Sequence, residues 1–175
     1  MQDSENTADF KIRAERTAEE LVGKLKSLSL TLALAESCTA GLVSGFLANI
    51  PGASGVLWGS FVCYTREAKI SMLGLDLNEL SVHGLVSRET AVSMAAGALN
   101  KSGAGLAASV TGLAGPQGDG SGVPVGTVWI AAALRNGQTR ASEYHFSGSR
   151  NAVRIRAAIA LLELIKNTLE LKVPT

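Results

Sequence analysis

Between residues 30 and 50 the chain passes from an apolar run into a helical one through seven small or polar residues, and that passage narrows the folds open to it. Leu30, Leu32 and Leu34 alternate with Thr31, Ala33 and Ala35, the pattern of a short strand buried in a sheet. Leu42, Val43, Phe46, Leu47 and Ile50 keep the spacing of an amphipathic helix that must stop before Pro51 and Gly52. A buried strand feeding a helix is half of a βα unit, and such units build sheets covered by helices on both faces.

The rest of the chain extends this alternation. The spacing of Phe10, Ala14, Leu21, Leu25 and Leu28 predicts a helix from about Thr7 to Ser27, with Thr17-Ala18-Glu19-Glu20 resembling a capping box inside it. Strand 30–36 and helix 40–49 follow, then a β-rich run from Val56 to Tyr64 and a helix from Arg66 to Leu73 that ends at Gly74. Leu77 to His83 reads as a short connection. Ser87 is a good N-cap for a helix reaching about Ser102. Strand 105–110, a glycine-rich loop over 112–122, strand 125–134, strand 139–146 and a helix over about 149–169 complete the order. Asn136-Gly137 between two β-rich runs predicts a hairpin. The expected fold is α/β, a three-layer α/β/α sandwich with a mixed, mostly parallel sheet. The 175 residues suit one domain, with its core over about 10–170.

Two small-residue segments lie at strand ends, where ligands of such sheets bind. In Ala35-Glu36-Ser37-Cys38-Thr39-Ala40-Gly41, hydroxyls and a thiol in a strand-to-helix turn can place a nucleophile beside free backbone N–H groups. A helix N-terminus there favours an anionic ligand or a developing oxyanion. Ordinary capping by Ser37 or Thr39, with Gly41 easing the turn, explains the same residues. The second segment, Gly112 to Gly122, offers backbone amides that a phosphate can approach closely. Neither segment matches the dinucleotide fingerprint or the P-loop.

Composition removes other classes. Sixteen basic and fifteen acidic residues nearly cancel, without the basic stripe of a nucleic-acid binder. Cys38, Cys63, His83 and His145 are too few and too scattered for a metal cluster or a disulfide framework, so neither a metal nor a cofactor is expected. No apolar run approaches the ~20 residues of a membrane span. The polar, acidic Met1–Asn6 is unlike a secretory signal, so a cytoplasmic location is expected.

Six motifs then occur in order. They are Ala35-Glu36-Ser37-Cys38-Thr39; Phe61-Val62-Cys63-Tyr64 with Glu67-Ala68-Lys69; His83-Gly84-Leu85-Val86-Ser87; Thr111-Gly112-Leu113-Ala114-Gly115-Pro116; Pro124-Val125-Gly126-Thr127-Val128; and Phe146-Ser147-Gly148-Ser149-Arg150. Together they resemble the CinA C-terminal domain family, whose active PncC-type members are nicotinamide mononucleotide deamidases. The resemblance implies hydrolysis of the nicotinamide carboxamide to nicotinic acid mononucleotide and ammonia. It implies Ser37 as nucleophile, Lys69 as its partner and Tyr64 as a supporting hydroxyl. The family's full-length version has an additional N-terminal domain, and this chain is expected to correspond to the C-terminal domain alone. Three positions depart from the usual pattern: Ala40 stands for a glycine, Val123 for a lysine and Ser149 for an aspartate.

The chemistry is consistent with the residues themselves. Amide hydrolysis needs a nucleophile, a proton acceptor that later donates to ammonia, and donors facing the oxyanion. A Ser–His–Asp triad lacks a suitably placed histidine, whereas a Ser–Lys pair is an attested variant. Lysine serves as a base only when burial or a nearby cation lowers its pKa. Cys38 is the rival nucleophile, although a buried, inert cysteine is the commoner case. Arg150 and Arg154, opening the last helix, are candidates for a phosphate. Thr39, Gly41, Thr111, Gly112 and Gly115 are expected to line the substrate pocket, and Asp119 to be a solvated loop residue. The expected partner is a small mononucleotide, with no nucleic acid or membrane, and the expected assembly is a homo-oligomer, a dimer or larger. Two other functions fit the same residues: a non-catalytic nucleotide-binding or partner-docking domain, and a serine amidase acting on another small amide.

Overall fold

The computed structural model describes residues 2–170, with side chains from Ala8 onward. Its elements are α1 (Gln2–Ser27), β1 (Leu32–Glu36), α2 (Leu42–Ala48), β2 (Leu57–Val62), α3 (Arg66–Leu73), α4 (Leu77–His83), α5 (Arg88–Ser102), β3 (Leu106–Gly112), β4 (Thr127–Leu134), β5 (Thr139–His145) and α6 (Arg150–Glu170). A short 3-10 turn, Ala53–Gly55, precedes β2. Five strands form one sheet in the order β2-β1-β3-β4-β5. β1 pairs in parallel with β2 and β3, while β3–β4 and β4–β5 are antiparallel. Four of the five strands therefore run the same way, with β4 reversed.

The alternation in β1 sets the two faces of the sheet. Leu32 and Leu34 join Leu106, Val110, Val128 and Ile130 in a large-residue core under α1, α2 and α6. Ala33 and Ala35 point the other way, with Ala107, Ala131 and Ala133, against Ala91, Ala95 and Ala98 of α5. Across this contact α5 packs on the sheet mainly through alanines. Burial on both faces is why the central strands read as nearly unbroken apolar runs.

Three expectations are corrected. Leu77–His83 is a helix, not a connection: Asp76 caps it, its carboxylate accepting from the N–H groups of Asn78 and Glu79. α1 runs unbroken through Thr17, whose hydroxyl donates to the carbonyl of Arg13, so no capping box forms there. Helix α2 starts only at Leu42, and neither Ser37 nor Thr39 is its N-cap; Gly41 is, without a side-chain cap bond. The Ser87 cap and the hairpin about Asn136-Gly137 form as the sequence predicts.

Candidate active site

Register brings the ends of three parallel strands to one level. Glu36 pairs with Val62 on one side and Val110 on the other. Just past them, the Ser37 N–H donates to the Val110 carbonyl, and the Cys63 N–H to the Glu36 carbonyl. The chain leaves β1 toward β2 on one side and returns to β3 on the other, so the crevice beyond β1 and β3 is the switch point where such sheets bind ligands.

α3 delivers a lysine into this crevice. Thr65 caps the helix, accepting from the Ala68 N–H, and Lys69 follows in its second turn with only 1% of its surface exposed. Its Nζ lies 2.8 Å from Ser37 Oγ and 3.0 Å from the Cys63 carbonyl oxygen. Among the described residues no carboxylate forms an ion pair with it. Burial without a counter-charge drives the Lys69 pKa below the ordinary lysine value. An ammonium there donates to both oxygens; a neutral amine keeps one N–H for the Cys63 carbonyl and turns its lone pair to the Ser37 hydroxyl. That second form can accept a proton from the hydroxyl it touches. Cys38 is 5% exposed and burial pushes its thiol up to about 12, while the Lys69 amine bonds to Ser37 Oγ and the Cys63 carbonyl and not to the Cys38 thiol.

The turn between β1 and α2 is held by two charged residues that approach from different directions. Glu36 is fully buried, and its carboxylate accepts from the Thr39 hydroxyl, the Ser60 hydroxyl and the N–H groups of Val43 and Ser44. The first N–H groups of α2 are thus taken by the protein's own carboxylate, and the anion expected at this helix start is Glu36 rather than a ligand. From α6, Arg154 donates to the carbonyls of Cys38 and Thr39 at 3.1 and 2.7 Å. Between them the backbone turns through Ala40 (φ 51°) and Gly41 (φ 89°), both left-handed.

Around Ser37 and Lys69 lies a cavity of about 250 Å³. Tyr64, Leu85, Val86, Thr111, Gly112, Leu113 and Arg150 also line it. Leu85, Val86 and Leu113 give it apolar walls, and Arg150 donates to the Tyr64 hydroxyl and the Gly115 carbonyl, linking two sides of its mouth. The structure thus brings Ser37, Lys69, Tyr64, Thr111, Gly112 and Arg150 to one cavity. It does not bring Thr39, Gly41 or Arg154 there. Thr39 is fully buried against Glu36, while Gly41 and Arg154 border a separate concavity beside α2. Gly115 touches the cavity only through its bond to Arg150, and Thr111 spends its hydroxyl on the Leu85 carbonyl.

Gly112 and Gly115 are glycines because of packing. A Cβ on Gly112 would meet Val128 Cγ2 at 2.7 Å and the Thr127 carbonyl at 2.8 Å; one on Gly115 would meet Val125 Cγ1 at 2.5 Å. Asp119 is exposed, accepts from Ser121, and also borders the cavity. Sequence reasoning missed Glu36 and the Cys63 carbonyl. A carboxylate ending an otherwise apolar strand was the available signal for the first, since acidic side chains are almost never buried unpartnered. Among the described residues no group of His, Cys, Asp and Glu is placed to hold a metal ion, and no helix is long and apolar enough to cross a membrane.

A family model described as the CinA C-terminal domain matches residues 14–169. A CinA-like protein of Geobacter metallireducens is 42% identical over 154 residues, covering 87% of this chain and 37% of its own. One from Kosmotoga olearia is 37% identical over 160 residues, covering 91% and 39%. The chain thus spans about two fifths of the length of the curated relatives it matches. The crystal structure of a competence/damage inducible protein from Agrobacterium tumefaciens superposes with a TM-score of 0.86 at 39% identity, covering 90% of this chain and 96% of that one. A CinA superfamily protein from Klebsiella pneumoniae gives 0.87 at 29% identity, covering 90% and 98%.

Proposed function

The chain belongs to the CinA C-terminal domain family, and on that premise we propose that it hydrolyses the carboxamide of nicotinamide mononucleotide to nicotinic acid mononucleotide and ammonia. The observation that carries this reading is the 2.8 Å approach of a buried lysine amine, without a counter-charge, to a serine hydroxyl inside a cavity. Neutral Lys69 takes the Ser37 proton as Oγ bonds to the carboxamide carbon and the carbonyl pair moves onto oxygen. The C–N bond then breaks, and Lys69 returns the proton to the departing ammonia. Water attacks the resulting ester with Lys69 again accepting its proton, and Ser37 leaves as the hydroxyl.

Leu85, Val86 and Leu113 suit the faces of a pyridine ring, and the Arg150 guanidinium at the mouth suits the 5′-phosphate, which lies outside a cavity of this size. The reaction needs no metal or cofactor in this scheme. We place it in the cytoplasm, carried out by a homo-oligomer. The test is ammonia release from nicotinamide mononucleotide by wild type beside Ser37→Ala. Turnover by wild type and its loss in the variant supports the reading; release from a different small carboxamide but not from the mononucleotide overturns the substrate while keeping the pair.

A further inference from the structure

Arg150 and Arg154 stand one helical turn apart at the start of α6, yet they reach different things. Arg150 borders the cavity; Arg154 does not, and both its bonds go to backbone carbonyls of the turn that carries Ser37. A planar trans peptide points its N–H opposite to its C=O. By fixing the Thr39 carbonyl, Arg154 fixes the Ala40 N–H on the other end of that peptide, and this N–H donates to the Ser37 carbonyl at 3.0 Å. The Ser37 carbonyl in turn sets the direction of the Cys38 N–H. Among the described residues that N–H bonds to no other residue, and Cys38 lines the cavity. It is the donor next in sequence to Ser37, the position from which α/β-hydrolases meet the oxyanion.

We propose that Arg154 is a positioning residue for catalysis: through the carbonyls of Cys38 and Thr39 it aims the Cys38 N–H at the oxygen that becomes negative when Ser37 attacks. This rests on the reading of Ser37 as nucleophile and replaces the expectation that Arg154 holds the substrate phosphate. The geometry is bidentate, one guanidinium serving two successive carbonyls, which the single ammonium point charge of lysine does not reproduce.

The test is the rate at which a fluorophosphonate modifies Ser37, followed by intact mass, because Oγ bonds to phosphorus and fluoride leaves through a five-coordinate phosphorus whose phosphoryl oxygen takes the place of the oxyanion, without any nucleotide. Wild type, Arg154→Met and Arg154→Lys are compared, with kcat and KM on nicotinamide mononucleotide and on its dephosphorylated riboside. The expected result is a fall of about 10²-fold in labelling and in kcat on both substrates, with KM nearly unchanged and partial rescue of Arg154→Met by low, non-denaturing guanidinium. Labelling at the wild-type rate with KM raised for the phosphorylated substrate alone overturns the proposal and makes Arg154 a phosphate ligand. A loss that only tracks the folded fraction, measured by thermal unfolding of Arg154→Lys, makes it a packing residue and also overturns it. Absence of Ser37 labelling in wild type removes the nucleophile itself, an outcome distinct from a wild type that labels normally.

Discussion

The turn after β1 and the glycine-rich segment after β3 end neighbouring parallel strands, and both consist of small residues, but they are held in opposite ways. The first is buried from Ser37 to Thr39 and pinned by charge: Glu36 accepts from two hydroxyls and two N–H groups, and Arg154 donates to two carbonyls. The second, from Pro116 to Gly122, is exposed, and its bonds are local ones between Asp119, Ser121 and Val123. Small residues in the first make room for a frame of buried charges around the Ser37 hydroxyl. In the second, a Cβ on Gly118, Gly120 or Gly122 would meet nothing within 4 Å, so no packing demands glycine there. Glycine content alone does not distinguish a machine part from a connection; the buried charges around it do.

The contrast is sharpest at Ser37. Ser37→Ala is expected to lower kcat by about three orders of magnitude or more with thermal stability retained, checked by ammonia release and a melting curve. Cys38→Ala is expected to keep most of the activity, since the Lys69 amine bonds to the Ser37 hydroxyl and the Cys63 carbonyl and not to the Cys38 thiol. The reverse pattern makes Cys38 the nucleophile.

A matched isosteric pair compares the two segments directly. Glu36→Gln sets an amide NH₂ against a donor, the Val43 or Ser44 N–H or a hydroxyl, and should destabilise by about 2–3 kcal/mol, with activity lost alongside. Asp119→Asn in the exposed loop should stay within about 0.5 kcal/mol. Denaturant unfolding of both variants measures this, and equal costs break the comparison.

Arg150 joins the two regions' surroundings, donating to Tyr64 and Gly115. Arg150→Ala should raise KM for the mononucleotide about 10- to 150-fold, the worth of a charge-assisted bond of ~1.5–3 kcal/mol, and much less for the riboside. Equal effects on both assign Arg150 to structure.

Lys69 has a cost that pH reveals. Its folded pKa is below its unfolded one, so the unfolded chain binds more protons between the two values and stability rises with pH across that window. Relative to Lys69→Met, wild type should therefore gain up to about 1.4 kcal/mol per pH unit on approaching the reference value near 10.4. A constant difference from neutral to alkaline pH contradicts the depressed pKa. The smallest effect is expected at Ala40, whose left-handed φ of 51° penalises an L-residue. Ala40→Gly should stabilise by roughly 1 kcal/mol or less, visible as a modest rise in Tm.

Much of the architecture was legible because the central strands β1, β3 and β4 are buried on both faces and the long helices are amphipathic. α4 was not, since Leu77 and Val82 are exposed and leave no apolar stripe; only Asp76 as a cap marked it. Within the site, the motif residues pointed to Ser37 and Lys69, but their periodicity carried no sign that Lys69 is buried beside Ser37. The two arginines show the limit most plainly. Residues 150 and 154 share a helix face, and nothing in their spacing says that one reaches a cavity mouth and the other a backbone turn. That depends on where β1 ends relative to α6, a tertiary distance. Thr39 and Gly41 were set in the pocket because the turn was read as a ligand-binding helix start, a place that Glu36 fills.

The base assignment of Lys69 is tested most directly by kcat/KM for ammonia release across about pH 5 to 9, in wild type, Lys69→Ala and Lys69→Arg. Because the lysine must be neutral to accept the Ser37 proton, wild-type kcat/KM should rise with pH through the depressed Lys69 pKa, and Lys69→Arg, which cannot deprotonate in this range, should be nearly as inactive as Lys69→Ala. Substantial activity in Lys69→Arg, with the wild-type acidic limb still present, contradicts the base role and leaves Lys69 as a fixed positive charge beside the oxyanion.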